Sequence, residues 1–109
     1  MEFTYTENGN KHVVVVNGRL DAVTAGEFDK ESDSWVSGGK LHIIADLSEL
    51  EYISSAGLRS ILTSAKKLKS AQGSIAFCGL NGMVEEVFSV SGFSAMFPIH
   101  QNIDDALAG

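Results

Sequence analysis

A single cysteine, Cys78, leaves this chain unable to close an internal disulfide or to build a thiolate metal cluster. It follows Ile75-Ala76-Phe77, so a buried strand thiol is its expected state. Cations are scarce too: eight Lys and Arg stand against fourteen Asp and Glu, a formal net charge of -6. A nucleic-acid binder needs a basic face to neutralise phosphates, and an anionic membrane surface repels the same acidic balance. Neither class of partner is expected. No run of roughly 18 apolar residues is present to span a bilayer, which argues against membrane insertion. Met1-Glu2-Phe3-Thr4-Tyr5-Thr6 has neither the basic start nor the apolar stretch of a secretory leader. The expected location is therefore cytoplasmic.

Motifs for common chemistries are missing as well. His12, His42 and His100 sit singly in or beside predicted strands without ligand-like spacing, so no metal site is expected. The chain contains no Gly-x-x-x-x-Gly-Lys-Ser/Thr loop and no Gly-x-Ser-x-Gly elbow. No cofactor and no hydrolase activity are expected, and the chain reads as a substrate rather than an enzyme.

What is present is the balance of one globular α/β domain over residues 1–109, with 44% hydrophobic and 20% charged residues around a single core. Phe3–Thr6 alternates, Asn8-Gly9 signals a tight turn, and His12–Val16 is a β-branched run, which together predict an N-terminal hairpin. Ala22, Ala25, Phe28, Trp35 and Val36 lie at helical spacing, with Thr24 or Asp21 as cap and Gly38-Gly39 as stop. Leu41–Ala45 reads as a central strand buried on both faces. Leu58, Ile61, Leu62, Ala65 and Leu68 repeat as a second helix, with Lys66, Lys67 and Lys69 complementing its negative end before Gln72-Gly73 stops it. Ser74–Cys78 follows as a strand, making a parallel crossover. Asn81 can cap a third helix bearing Met83, Val84, Val87 and Phe88, ended by Gly92. A strand near Met96–Ile99 and a short terminal helix over Asn102–Leu107 complete the pattern. The expected fold is a mixed sheet of four to five strands with helices packed mainly on one face.

The segment from Asp46 to Leu58 carries the functional signal. It runs from an apolar strand pattern through a turn into a helical one and places Ser54 and Ser55 at the helix start. Such a start offers unpaired N–H groups and a partial positive charge, a prepared anion site. One of the two serines is expected to cap the helix, which stabilises by about 1 kcal/mol. Gly57 costs roughly 0.5 to 1 kcal/mol relative to alanine in the first turn, so another backbone or a partner's surface is expected to come close there. Ala56 and Gly57 leave the Ser55 hydroxyl sterically open.

Asp46-Leu47-Ser48 followed by Tyr52-Ile53-Ser54-Ser55-Ala56-Gly57-Leu58 resembles the phosphorylation-site signature of the bacterial anti-sigma-factor antagonists, the STAS-domain family. Gly18-Arg19-Leu20-Asp21 with Thr24-Ala25 supplies a second match, to that family's Gly-x-Leu-Asp turn into the first helix. The family motif usually reads Asp-Ser-Ser/Thr-Gly with the serine after the Asp as phosphoacceptor, so aligning its glycine on Gly57 assigns that role to Ser55. Ser54 then stands where the family commonly has Asp. Asp21 matches the other acid of the pattern, either as a nearby carboxylate or simply as a favourable helix cap.

The resemblance implies a partner switch. The unmodified antagonist would bind an anti-sigma factor that is also a serine kinase, phosphorylation on Ser55 would release it, and a metal-dependent serine phosphatase would reset it. Asp21, Thr24, Ser54, Ala56, Gly57 and Leu58 would surround the phosphosite and meet the partner. The alternative reading is a constitutive STAS-like regulatory or structural subunit of a transporter or signalling assembly, in which Ser55 only caps its helix.

Overall fold

The structure is a computed structural model that describes residues 1–109. It opens with strands β1 (Glu2–Asn8) and β2 (Lys11–Leu20), joined across Gly9, whose φ of 62° suits a tight turn. Their antiparallel register pairs Phe3 with Val16 and Tyr5 with Val14. Helix α1 (Ala25–Ser37) follows, then β3 (His42–Asp46), β4 (Leu50–Ile53), α2 (Ser55–Ser70) and β5 (Ser74–Cys78). The chain ends with α3 (Gly82–Val90), the single turn α4 (Phe93–Met96), β6 (Ile99–His100) and α5 (Ile103–Ala108). The sheet order is β1-β2-β3-β5-β6, with β4 paired to the far half of β2, and every pairing except β1 with β2 is parallel.

Alternation along the strands sorts the core into two faces. Val14 and Val16 of β2, Ile43 and Ala45 of β3, and Ile75 and Phe77 of β5 point to one side. There Phe28 and Trp35 of α1, Ile61 and Leu68 of α2, and Val84 and Phe88 of α3 close over them. Trp35 meets Phe28 edge-on at 5.8 Å between ring centroids, and its Nε1 donates to the Tyr5 hydroxyl at 2.8 Å. That hydroxyl in turn donates to Glu31, which ties the β1 edge to α1. Val13, Ile44 and Cys78 point to the opposite side and are covered by Ala106 of α5. The Cys78 thiol is buried, and that burial, with Asp46 nearby, pushes its pKa up to about 11, so it is held as an inert thiol.

The order and type of the expected elements match those observed, with four differences. Six strands form where four to five were expected, because Leu50–Ile53 pairs with an extension of β2 through Gly18↔Leu50 and Leu20↔Ile53. The stretch Gly18-Arg19-Leu20, read as part of a turn, is therefore strand, interrupted by an irregularity between Gly18 and Arg19. α1 begins at Ala25 rather than Ala22, because the Asp21 carboxylate holds residues 21–24 in a turn and leaves Ala22 and Val23 exposed. The strand expected from Met96 shrinks to Ile99–His100: Gly92, with φ 85°, starts the α4 turn, and Phe97 N–H donates back to Phe93 O. No helix is long and apolar enough to cross a membrane.

Candidate functional site

β2 and β4 leave the sheet side by side at their C-terminal ends, and everything singled out around Ser55 hangs from that exit. The turn after β3 sets up β4. Asp46, 8% exposed, accepts the Ser48 N–H on Oδ1 at 3.0 Å, and Leu50 N–H reaches Leu47 O at 3.0 Å, so the chain reverses tightly over a buried Leu47. β4 then runs parallel to β2 until Ile53 faces Leu20. Ser54 N–H donates to Leu20 O at 3.0 Å, a last rung before α2 begins.

Ser54 is the cap. Its backbone is extended, at φ -105° and ψ 176°, and its Oγ accepts the Gly57 N–H at 3.3 Å. Ser55 is the first helical residue; its side chain is exposed and its hydroxyl makes no hydrogen bond within the chain. The N–H groups of Ser55 and Ala56 have no intrahelical acceptor, since only residues from the second turn onward find a carbonyl four positions back. An exposed hydroxyl thus sits over free donors at the positive end of a 16-residue helix.

Gly57 is buried, and a Cβ placed on it would lie 2.5 Å from Leu20 O, 2.8 Å from Leu20 Cγ and 2.9 Å from Ile53 Cγ1. The close backbone expected from the sequence is therefore the chain's own β2 terminus. Ser60 Oγ donates to Ala25 O at 3.3 Å and adds a tie between α2 and α1. Leu58 is half-buried and packs against the main core, with Ala56 half-exposed beside Ser55.

The β2–α1 turn forms the other wall. Asp21 Oδ1 accepts the backbone N–H groups of Val23 at 3.0 Å and Thr24 at 3.1 Å, while the Thr24 hydroxyl donates to Arg19 O at 2.7 Å. The Thr24 N–H above all holds the Asp21 carboxyl below its ordinary pKa; desolvation, the next effect in size, opposes it, and the Val23 N–H adds to the lowering. Arg19 Nε lies 3.9 Å from Asp21 Oδ2 and adds to the lowering. The structure brings Asp21, Thr24, Ser54, Ala56, Gly57 and Leu58 to one edge, but no hydrogen bond joins Asp21 to Ser55. The Asp21 carboxylate is engaged within its own turn.

Two features of this edge escaped the sequence reading. The Arg19 guanidinium stacks over the Tyr52 ring, 4.4 Å from its centroid, and Val23 projects from the turn 87% exposed. Arg19 and Tyr52 are register partners across β2 and β4, so recognising β4 would have paired them. Elsewhere, His12 Nδ1 meets Glu7 at 3.1 Å and His42 Nδ1 meets Ser74 Oγ at 3.0 Å, and no three His, Cys, Asp or Glu side chains gather as a metal set.

Comparison with known proteins follows the same lines. The STAS domain family model matches residues 2–106. BtrV of Bordetella bronchiseptica, named as an anti-sigma factor antagonist, is 34% identical over 108 residues, which cover 99% of this chain and 93% of that protein. The anti-sigma F factor antagonist of Paenibacillus polymyxa is 29% identical over 96 residues, 87% of this chain and 82% of its own length. In three dimensions the Thermotoga maritima protein TM1081, described as an anti-sigma factor antagonist, superposes with a TM-score of 0.90 at 27% identity, covering 97% of this chain and 92% of that one. The chain belongs to the STAS domain family of anti-sigma factor antagonists.

Proposed function

We propose that this chain is the switchable antagonist of an anti-sigma factor that is also a serine kinase, and that phosphorylation of Ser55 ends their complex. The observation that carries the proposal is the division of labour between the two serines. Ser54 supplies the capping oxygen, which leaves the Ser55 hydroxyl exposed and unbonded above the free N–H groups of α2. A serine that served only as a cap would have its oxygen turned onto the helix. Ser55 does not do this.

The partner face is the edge around it: the Asp21–Thr24 turn with exposed Val23, the Arg19–Tyr52 stack, and Ala56 and Leu58 of α2. In the unmodified state this face carries the Arg19 guanidinium and the Asp21 carboxylate, 3.9 Å apart and of opposite sign, and no charge at Ser55 itself. Phosphorylation adds roughly -1.5 to -2 charges at one point of it. The phosphate is stabilised by its own helix terminus, so the domain stays folded, whereas docking would bury a dianion without partners. Turning a complex from 99:1 bound to 1:99 needs about 5.5 kcal/mol of differential free energy, within reach of a buried, misfitted dianion. A serine phosphatase of the metal-dependent type restores the hydroxyl. In this cycle the chain is the substrate of both enzymes and performs no chemistry itself.

Incubation with the cognate kinase and ATP tests this directly. Wild type and Ser54→Ala should each accept one phosphate, Ser55→Ala none, and Ser55→Asp should stay folded while losing the kinase in a pull-down. Full phosphate uptake by Ser55→Ala, or wild-type affinity in Ser55→Asp, overturns the assignment.

A further inference from the structure

At the other end of α2, about 16 Å along the helix from Ser55 at 1.5 Å per residue, the chain entering β6 peels away from β5. Phe77 N–H donates to Pro98 O at 3.0 Å, which fixes Phe77 as facing β6, and by strand alternation Ile75 faces the same way. Continued in register, Ile75 would meet Phe97. Phe97 instead turns its N–H back to Phe93 O, Pro98 has no N–H to give, and no backbone bond joins Ile75 to residues 96–98. The result is a fork, a groove of about 480 Å³ between the start of β5, the α2 face bearing Leu62 and Ala65, and the Met96–Pro98 segment.

The groove has a definite chemical character. Its floor is apolar, its lip carries Met96 at 56% exposure, and Lys66 and Lys69 stand on its α2 side. Neither lysine takes part in an ion pair, whereas Lys67, on the adjacent flank of the helix, is held by Asp33 at 2.6 Å. No acidic residue lines the groove, in a chain whose net charge is -6. Two unneutralised cations, an apolar slot and one unpaired strand rung therefore lie together. We propose that this fork is a second docking site, for an extended peptide segment of a partner protein that adds to β5 at Ile75. Such a segment lays one apolar side chain in the slot and sets acidic residues two positions before and after it, which share its face of the strand, against Lys66 and Lys69. Main-chain bonds to the strand edge supply affinity, and the alternate side chains supply selectivity. A free amphiphilic carboxylate matches the lysines and the slot but leaves the strand rung unpaired. The site is independent of the switch at Ser55, so its occupancy and the phosphorylation state do not exclude one another.

The test is a titration of the full chain, isotope-labelled, with the synthetic peptide Ser-Asp-Thr-Phe-Thr-Asp, capped at both ends, which puts both Asp on the face of the Phe, followed by amide chemical shifts. Saturable shifts centred on Ile75, Lys66, Lys69 and Met96, unchanged in Ser55→Asp, are expected. The double variant Lys66→Glu/Lys69→Glu should weaken binding at least about tenfold, and raised salt should weaken it in wild type. Ala65→Leu, which fills the slot while keeping both lysines, should also weaken it. The proposal is overturned by no saturable shift at millimolar peptide, by shifts centred on the Ser55 edge, by equal binding of the peptide with Lys in place of Asp, or by laurate binding there while the peptide does not.

Discussion

Gly57→Ala offers a sharp examination of how the Ser55 edge is built, because two physical effects of opposite sign meet at one atom. Inside a helix the added methyl is favourable by up to about 1 kcal/mol, since alanine loses less backbone entropy on folding than glycine. At Gly57 that methyl would lie 2.5 Å from a backbone oxygen, Leu20 O, and under 3 Å from two core side-chain carbons. Carbon and oxygen do not approach so closely, and the oxygen cannot rotate aside because Leu20 O already accepts the Ser54 N–H. Either α2 lifts off β2 or the rung at Ser54 breaks. Overpacking of this kind costs about 1–3 kcal/mol, so the variant should be destabilised by about 1–2 kcal/mol net, a loss of roughly 4–16 °C in melting temperature for a domain of this size. Gly26 is the internal control. It lies in α1, and a methyl placed on it would meet nothing within 4 Å. Gly26→Ala should therefore gain about 0.5–1 kcal/mol. Urea unfolding followed by far-ultraviolet circular dichroism reads both. Equal stabilisation of the two variants would refute the close packing of α2 on Leu20, and with it the account of why Ser55 is held where it is.

Two further perturbations separate the roles of neighbouring residues. Ser54→Ala removes the oxygen that accepts the Gly57 N–H and should cost about 1 kcal/mol in the same urea experiment, while Ser55→Ala should stay within about 0.5 kcal/mol of wild type; the reverse order would move the cap to Ser55. Asp21→Ala should destabilise at neutral pH. The Asp21 pKa is lowered in the folded state, so its contribution is fully present above the unfolded-state pKa and disappears as pH falls through the folded one. The gap between Asp21→Ala and wild type should accordingly close in acid. A gap that is constant down to pH 2 would mean that the ionised carboxylate is not what holds the turn.

The elements that sequence could show are those whose pattern is local. The β-branched run at Val13–Val16, the helical spacing from Leu58 to Leu68 and the Asn8-Gly9 turn each announce their structure within a few residues, and each stands where expected. β4 does not announce itself. Its four residues, Leu50-Glu51-Tyr52-Ile53, become a strand only because the far half of β2 is there to pair with them, a contact between residues about thirty positions apart. Its absence from the reading explains the other misjudgement at the site: without a partner for Gly18–Leu20, that stretch looks like the turn itself and the helix after it looks longer. Gly57 and Asp46 lie between these cases. The helix penalty at Gly57 signals that something comes close, but only the folded chain shows that it is Leu20, and only there does the Asp46 carboxylate show its part in turning the chain into β4, through the Ser48 N–H.

The exchange of the family's common Asp for Ser54 has a physical consequence at the neighbouring hydroxyl. Either residue can cap a helix, because each presents an oxygen to the N–H three positions on, and Ser54 does so to Gly57. They differ in charge. A carboxylate at that position would occupy the positive end of α2 permanently, whereas the serine leaves the helix terminus uncompensated and the N–H groups of Ser55 and Ala56 without an anion. Under the proposed switch, a phosphoryl group on Ser55 would arrive at a terminus whose own capping residue carries no negative charge to repel it. The Gly57–Leu20 contact and the Ser54–Leu20 rung fix the backbone beneath it, so the added charge would not be absorbed by a rearranging loop. It would be presented outward, on the face proposed to meet the partner. In the proposed switch the neutral cap and the tightly packed glycine would act in one direction, making the modified state comfortable for the isolated domain and costly only in the complex.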